Sequence, residues 1–144
     1  MRSSSRTSIP VPERLARGLL DTSVVIGLES LDPERLPEQV AISAVTMAEL
    51  AAGPSAATDA AERARRQDRL QRAEAAFDPL PFGIEAARAY GRVYAAVFAR
   101  GRRPPRRFAD LLIASVAVAE DLPLVTRNAH DFDGLAELLL VLEV

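Results

Sequence analysis

Short apolar segments alternate with stretches of helical periodicity along most of this chain, from residue 18 to its last residue. This alternation is typical of an α/β fold, in which a helix connects each strand to the next parallel strand. A chain of 144 residues with 49% hydrophobic content is long enough for one core and too short for two. We therefore expect a three-layer α/β/α domain with a mostly parallel central sheet at residues 18–144, preceded by a disordered or irregular lead-in at residues 1–17.

Turn-forming residues and changes of periodicity predict the individual elements. Four strands are expected in the short apolar runs GLLD (18–21), VAIS (40–43), LPLVT (122–126) and LLLVLEV (138–144). The first helix, TSVVIGLES (22–30), is expected to use Thr22 or Ser23 as its cap, and AVTMAELAAG (44–53) is expected to close at Gly53 and Pro54. Three further helices are expected at 58–77, 83–99 and about 108–120, with the first two of these forming a hairpin.

Four carboxylates stand beside apolar segments, where an isolated charge is costly: Asp21, Glu49, Asp110 and Asp131. A buried carboxylate requires a cationic partner or a metal, and the chain contains no lysine. Asp21 ends the first strand, while Glu49 and Asp131 follow later strands. These three are therefore expected at the carboxyl edge of the sheet, where open parallel sheets bind ligands. Asp110 joins them if its helix begins there.

The first two of these acids also have purely structural interpretations. Asp21 could simply cap the helix that follows it. Thr46 and Glu49 have the spacing of a capping box, although Ser43 is a better cap and would leave Glu49 inside the helix.

The other two acids have similar alternatives. Asp110 could form a surface ion pair with Arg106 or Arg107, but the residues after it belong to a helix that is apolar nearly all round. Asp131 could be an ordinary loop residue. The clustering of acids at one edge of the sheet favours a functional site.

The chemistry of the candidate ligands limits the classes of function. Carboxylate oxygens suit Mg²⁺ and Mn²⁺, the hard cations that support phosphodiester hydrolysis. The chain has no cysteine and one histidine, His130, which excludes a thiolate zinc site and catalysis by a histidine pair. The longest apolar stretch is far shorter than the roughly 20 residues of a membrane span. We therefore expect a soluble protein with no membrane contact, and the absence of cysteine fits the cytoplasm. With the candidate metal ligands, these features predict a metal-dependent nuclease.

Four motifs resemble those of the PIN-domain ribonucleases, and in particular the VapC-like toxins of bacterial toxin–antitoxin modules. LLDTSVVI is similar to the first motif, ISAVTMAEL to the second, ADLLIASVA to the third and LVTRNAHDF to the fourth. The resemblance runs from about residue 18 to residue 144. It implies that Asp21, Glu49, Asp110 and Asp131 are catalytic and bind Mg²⁺, with Mn²⁺ as an alternative.

The same resemblance assigns supporting polar positions. Ser23, Thr126 and Asn128 fall on positions that the family uses next to its acidic residues. Many PIN domains carry an acid where this chain has Asn128, so the fourth ligand is either Asp131 or shared between the two.

The resemblance also implies partners: single-stranded or loop RNA as substrate, a second copy of the chain in a homodimer, and a cognate antitoxin that offers an arginine to the carboxylates. Two other PIN-like functions stay open, an RNA-processing nuclease without a toxin role and a non-catalytic binding module. A haloacid-dehalogenase-like or receiver-like phosphate domain is disfavoured, because both of these require a lysine.

The chain has no lysine, so arginines are its basic side chains apart from the single histidine. Several of these arginines precede the third motif. Arg102, Arg103, Arg106 and Arg107 crowd the segment before Asp110, and Arg127 lies near Asp131. Guanidinium groups there could hold RNA phosphates. The alternative is a solvated, charged loop.

Overall fold

A computed structural model describes residues 14–99 and 108–144 of the chain. Its centre is a parallel sheet of four strands: β1 (Arg17–Leu20), β2 (Gln39–Ile42), β3 (Leu124–Thr126) and β4 (Val141–Glu143). The strand order is β2-β1-β3-β4, so β1 lies between the second and third strands. The predicted parallel sheet is confirmed, although β4 is shorter than the apolar run that predicted it.

Among the described residues, five α-helices surround this sheet: α1 (Thr22–Ile26), α2 (Ala44–Ala56), α3 (Ala60–Ala76), α4 (Ile84–Ala99) and α5 (Phe108–Ala119). Successive residues of a strand point to opposite faces, and β1 shows this clearly. Leu19 packs in a core that includes residues of α4 and α5. Leu20 packs in a second core that includes residues of α1, α2 and α3. The predicted three layers are therefore confirmed.

The predicted hairpin of the helices at 58–77 and 83–99 is wrong. α3 packs against α2, whereas α4 packs against α5 on the other face of the sheet. The connection between α3 and α4 passes the sheet edge beside β2. There, the Leu80 N–H donates to the Ile42 carbonyl (2.9 Å), and the Ala44 N–H donates to the Leu80 carbonyl (2.7 Å). This crossing moves the chain from one layer to the other.

The end of α2 also differs from the prediction. The helix continues through Gly53 and Pro54 as far as Ala56. Two arginines of α3 hold this last turn, because Arg66 donates to the Gly53 carbonyl (3.0 Å) and Arg63 donates to the Pro54 carbonyl (3.4 Å). Tertiary contacts therefore override the usual stop signal of a glycine followed by a proline.

The close packing around β1 depends on Gly18. A Cβ atom at this position would lie 2.7 Å from Pro37 Cγ and 3.0 Å from Val125 Cγ2.

The lead-in expected before β1 falls mostly on residues 1–13, which lie outside the described residues. The backbone carbonyls of Leu15 and Ala16 accept hydrogen bonds from Glu38 and Gln39. Within the described ranges, no helix is long and apolar enough to cross a membrane.

Candidate active site

The end of β1 places Asp21 in a buried position at the start of α1. Its Oδ1 accepts hydrogen bonds from the Val24 N–H (3.2 Å) and from the Ser23 hydroxyl (2.5 Å). Asp21 is therefore the N-cap of α1, and the prediction that Thr22 or Ser23 would cap this helix is wrong. The cap explains the local backbone but uses only one carboxylate oxygen.

The other oxygen of Asp21 connects β1 to β3. Asp21 Oδ2 accepts a hydrogen bond of 2.6 Å from the Thr126 hydroxyl, and the Thr126 oxygen accepts one of 3.1 Å from the Asn128 N–H. The Arg127 N–H donates to the Ser23 oxygen at 3.3 Å. Asp21, Ser23 and Thr126 thus form one hydrogen-bonded group at the carboxyl ends of two adjacent strands.

The charge of Asp21 has no basic partner in the part of the chain that the structure describes. The side chain is 5% exposed and Thr126 is 1% exposed. All of the hydrogen bonds that Asp21 accepts come from neutral hydroxyl and amide groups. A buried carboxylate with only neutral donors favours a bound cation, and its hard oxygen atoms suit Mg²⁺ or Mn²⁺.

Glu49 lies in the second turn of α2 and is half-buried. Ser43 caps α2, since its hydroxyl accepts the Thr46 N–H at 3.1 Å. The capping-box interpretation of Thr46 and Glu49 is therefore wrong, and the expectation that Ser43 is the cap is confirmed. The Thr22 hydroxyl instead donates to Glu49 Oε1, and the hydroxyl oxygens of Thr22 and Thr46 are 3.1 Å apart.

Thr22 therefore connects Glu49 to the residue next to Asp21. Sequence inspection considered Thr22 only as a helix cap and missed this contact. The one sequence signal for this contact is that a threonine, Thr22, directly follows the acid that ends β1. Its partner in α2 could be identified only from the packing of α1 against α2.

Asp110 is buried in the first turn of α5, with 8% of its surface exposed. The helix begins at Phe108, so the expected position of Asp110 near its start is confirmed. The partial positive charge of a helix N-terminus stabilises a carboxylate in this turn. The alternative ion pair of Asp110 with Arg106 or Arg107 stays a prediction, because both arginines lie outside the described residues.

The fourth motif is more open to solvent. Asp131 and Asn128 are both exposed, and Asp131 lies in a short 3₁₀ helix at Ala129–Phe132. The Asp131 N–H donates to the Asn128 carbonyl at 3.1 Å. Among the described residues, no three Asp, Glu or His side chains form a group placed to hold a metal ion. The structure thus groups Asp21 with Ser23 and Thr126, and Glu49 with Thr22, without uniting all four acids.

Comparison with known proteins identifies the family. Residues 18–138 match the model of the PIN domain. Ribonuclease VapC5 of Mycobacterium tuberculosis is 39% identical over 132 residues, which make up 88% of this chain and 95% of VapC5. Ribonuclease VapC8 of the same species is 42% identical over 101 residues, covering 69% of this chain and 89% of VapC8. This chain belongs to the PIN-domain family, in its VapC branch.

Solved structures agree with this assignment. The crystal structure of VapBC-5 from Mycobacterium tuberculosis, a member of the VapBC family of toxin–antitoxin systems, matches with a TM-score of 0.75 and 36% identity. The match covers 90% of this chain and 99% of that one. FitAcB of Neisseria gonorrhoeae matches with a TM-score of 0.66 and 26% identity, covering 87% of this chain and 96% of that one.

Of the arginines predicted to contact RNA in this VapC-family protein, only Arg127 lies within the described residues. Arg102, Arg103, Arg106 and Arg107 lie outside the described residues. Arg127 is exposed, and its guanidinium lies against Gly27 at the end of α1. The Arg127 N–H also donates to the Ser23 oxygen, so the backbone of Arg127 belongs to the hydrogen-bonded group around Asp21.

Proposed function

We propose that this protein is a Mg²⁺-dependent endoribonuclease that acts as the toxin of a toxin–antitoxin pair and cleaves single-stranded or loop RNA. The environment of Asp21 carries the proposal, because a buried carboxylate with only neutral donors among the described residues is stabilised by a bound cation. The ribonuclease names of VapC5 and VapC8 support the same activity here.

In this proposal Asp21, Glu49, Asp110 and Asp131 hold Mg²⁺, and Mn²⁺ is the natural substitute because it favours the same oxygen ligands. The bound ion supplies an acidified water molecule and neutralises charge on the phosphate.

The supporting residues fix the carboxylates in advance. Ser23 and Thr126 each donate to a different oxygen of Asp21, which limits the rotation of its side chain. The Asn128 N–H occupies the Thr126 oxygen as a donor, so the Thr126 proton remains available for Asp21. Thr22 acts in the same way on Glu49. Such prior ordering lowers the entropy lost when the site binds its ligands.

A metal-free mechanism has less support. His130 is the one histidine in the sequence, and its side chain is 75% exposed. Its Nδ1 lies 2.8 Å from Asp133 Oδ2, as a surface pair one helical turn apart. Metal-free RNA cleavage usually needs a second general acid or base at the phosphate. An RNA-processing role without toxicity is the second candidate. A non-catalytic binding module is disfavoured, because burying the charges of Asp21 and Asp110 is costly and a metal site would offset that cost.

A cognate antitoxin is the proposed protein partner. The structures that resemble this chain include toxin–antitoxin complexes, which supports such a partner. An arginine from the antitoxin could bind the carboxylates of Asp21 and Glu49 with charge-assisted hydrogen bonds. It would then occupy the ligand positions that catalysis requires.

A homodimer is also proposed, and an exposed aromatic surface on α4 and α5 supports it. Tyr94 and Phe98 are each 44% exposed and Phe108 is 57% exposed. The rings of Tyr94 and Phe98 are 4.3 Å apart, and Tyr90 lies 5.9 Å from both Tyr94 and Phe108. Contiguous exposed apolar groups of this kind are typical of protein interfaces.

The direct test is the metal dependence of RNA cleavage by the wild-type protein. We expect the purified protein to cut a single-stranded RNA with Mg²⁺, to lose this activity with EDTA, and to regain it when Mg²⁺ or Mn²⁺ is restored. Sequencing of the cleavage ends measures both the activity and its position. Cleavage that persists in EDTA would contradict the metal-site proposal.

The exposed fourth motif gives a separate prediction about the last ligand. If Asp131 is that ligand, Asp131→Asn should raise the Mg²⁺ concentration for half-maximal cleavage by at least about tenfold, as is usual for changes around a metal site. Asn128→Ala should have a much smaller effect, because the Asn128 N–H that holds Thr126 belongs to the backbone. Mg²⁺ titrations of both variants measure the difference. The reverse ranking would assign the ligand to Asn128.

A further inference from the structure

A cavity of about 370 Å³ opens beside Glu49, between the first three helices. Its lining includes Thr22 and Glu49, together with Glu62, Arg66 and Arg69 of α3. This volume is in the range of about 300–1,000 Å³ that small-molecule sites occupy. The cavity therefore has room for part of a nucleotide next to a proposed catalytic carboxylate.

Three other arginines of α3, namely Arg65, Arg66 and Arg72, are already paired with acids. Arg66 donates to Glu62 (2.8 Å) and to the Gly53 carbonyl (3.0 Å), and Arg65 donates to the same carboxylate. These hydrogen bonds, first that from Arg66 and then that from Arg65, lower the pKa of Glu62 below its ordinary value. Arg72 forms ion pairs with Asp68 and Glu29.

Arg69 is different from these neighbours. It is half-buried, yet within the described ranges its guanidinium forms no hydrogen bond or ion pair. It also lines a second, mostly apolar cavity with Ala73 and Phe77, which provides room for its aliphatic stem. A half-buried arginine whose guanidinium donors are all unused among the described residues can bind an anionic ligand.

We propose that Arg69 binds a backbone phosphate of the RNA substrate in this cavity, on the α3 side of Glu49. The inference rests on the proposed ribonuclease function and adds a contact that positions the substrate. A phosphodiester matches the site because it offers paired oxygens to the planar guanidinium. Glu49 and Glu62 repel the negative charge of the phosphate, and the positive charge of Arg69 offsets this repulsion.

The test is RNA binding by the full chain carrying Asp21→Asn, so that turnover does not interfere. A fluorescent single-stranded RNA is titrated at several salt concentrations against this protein and against versions that also carry Arg69→Gln, Arg69→Met or Arg69→Lys. Arg72→Gln is the matched control, because Arg72 is on the same helix but is paired and does not line this cavity. Thermal melting checks the fold of each variant, and Arg69→Met preserves the apolar stem if Arg69→Gln is unstable.

We expect Arg69→Gln and Arg69→Met to weaken RNA binding by about tenfold, as for loss of a hydrogen bond to a charged group. The slope of log affinity against log salt should become shallower by about 0.7, the value for one phosphate contact on a single strand. Arg69→Lys should keep the slope and recover part of the affinity, since the charge remains but the paired geometry is lost. Arg72→Gln should match the parent.

Equal affinity and slope for the Arg69 variants and the Arg72 control would overturn the proposal. Wild-type cleavage, measured separately, distinguishes this failure from that of the proposed function. A protein that cuts RNA with Mg²⁺ but does not need Arg69 retains the function and loses the subsite. Conversely, RNA binding that depends on Arg69 without any cleavage retains the subsite as an RNA contact and rejects the enzyme.

Discussion

Asp21→Asn is expected to reduce Mg²⁺-dependent RNA cleavage by more than about a hundredfold, since even changes around a metal ligand commonly cost 10- to 100-fold. Asn has nearly the same size as Asp and can still accept hydrogen bonds from Ser23 and Val24. It lacks the negative charge that a divalent cation requires. The side chain is 5% exposed, so loss of an uncompensated charge should preserve or raise the melting temperature.

The measurement pairs initial cleavage rates with thermal melting of the same preparations. Asp78→Asn is the matched control, because Asp78 is an exposed residue of the connection between α3 and α4. It should cleave RNA at the wild-type rate. Full activity in Asp21→Asn would reject Asp21 as a ligand, and a large drop in melting temperature would instead show that its charge stabilises the fold.

Gly18→Ala is expected to lower the free energy of unfolding by about 2 kcal/mol, in the range of overpacked cores. The added methyl group would lie 2.7 Å from the Pro37 ring and 3.0 Å from Val125. Neither neighbour can move easily, because one is a rigid ring and the other belongs to β3. The strands that present Asp21 and Thr126 would have to separate.

Gly91→Ala provides the opposite result as a control. Gly91 lies in α4, and a Cβ atom there would have no neighbour within 4 Å. Alanine is a better helix former than glycine by about 1 kcal/mol, so this change should stabilise the protein. Urea unfolding at a constant m-value measures both effects. Equal stability of Gly18→Ala and the wild type would show that β1 and its neighbours adjust to the added group.

The parts of the site that follow directly from strand ends could be predicted from the sequence. Asp21 and Thr126 close adjacent parallel strands, so the pattern of apolar runs was enough to place them at one edge. The contact of Thr22 with Glu49 could not be predicted, because it depends on how α1 packs against α2. The exposure of Asp131 was equally inaccessible, since the polar fourth motif contains no signal for burial.

The two errors in the helical layers have physical causes of the same kind. Periodicity shows that α3 and α4 are amphipathic, but it does not show which face of the sheet each one covers. That choice depends on the path of Leu80 beside β2. Likewise, the extension of α2 past Pro54 depends on hydrogen bonds from Arg63 and Arg66, which come from another helix.

The strand order has a consequence for the time at which the protein becomes active during its synthesis. β1 is made before the other strands, but its partner β3 is made only after α2, α3, α4 and α5. The hydrogen bond between Thr126 and Asp21 therefore joins residues 105 positions apart. A nascent chain that has not yet released β3 from the ribosome lacks both that bond and one neighbour of its central strand. Contacts of such long range also form slowly. For a proposed toxin that cuts RNA, this topology delays completion of the active site until β3 has been synthesised and has left the ribosome.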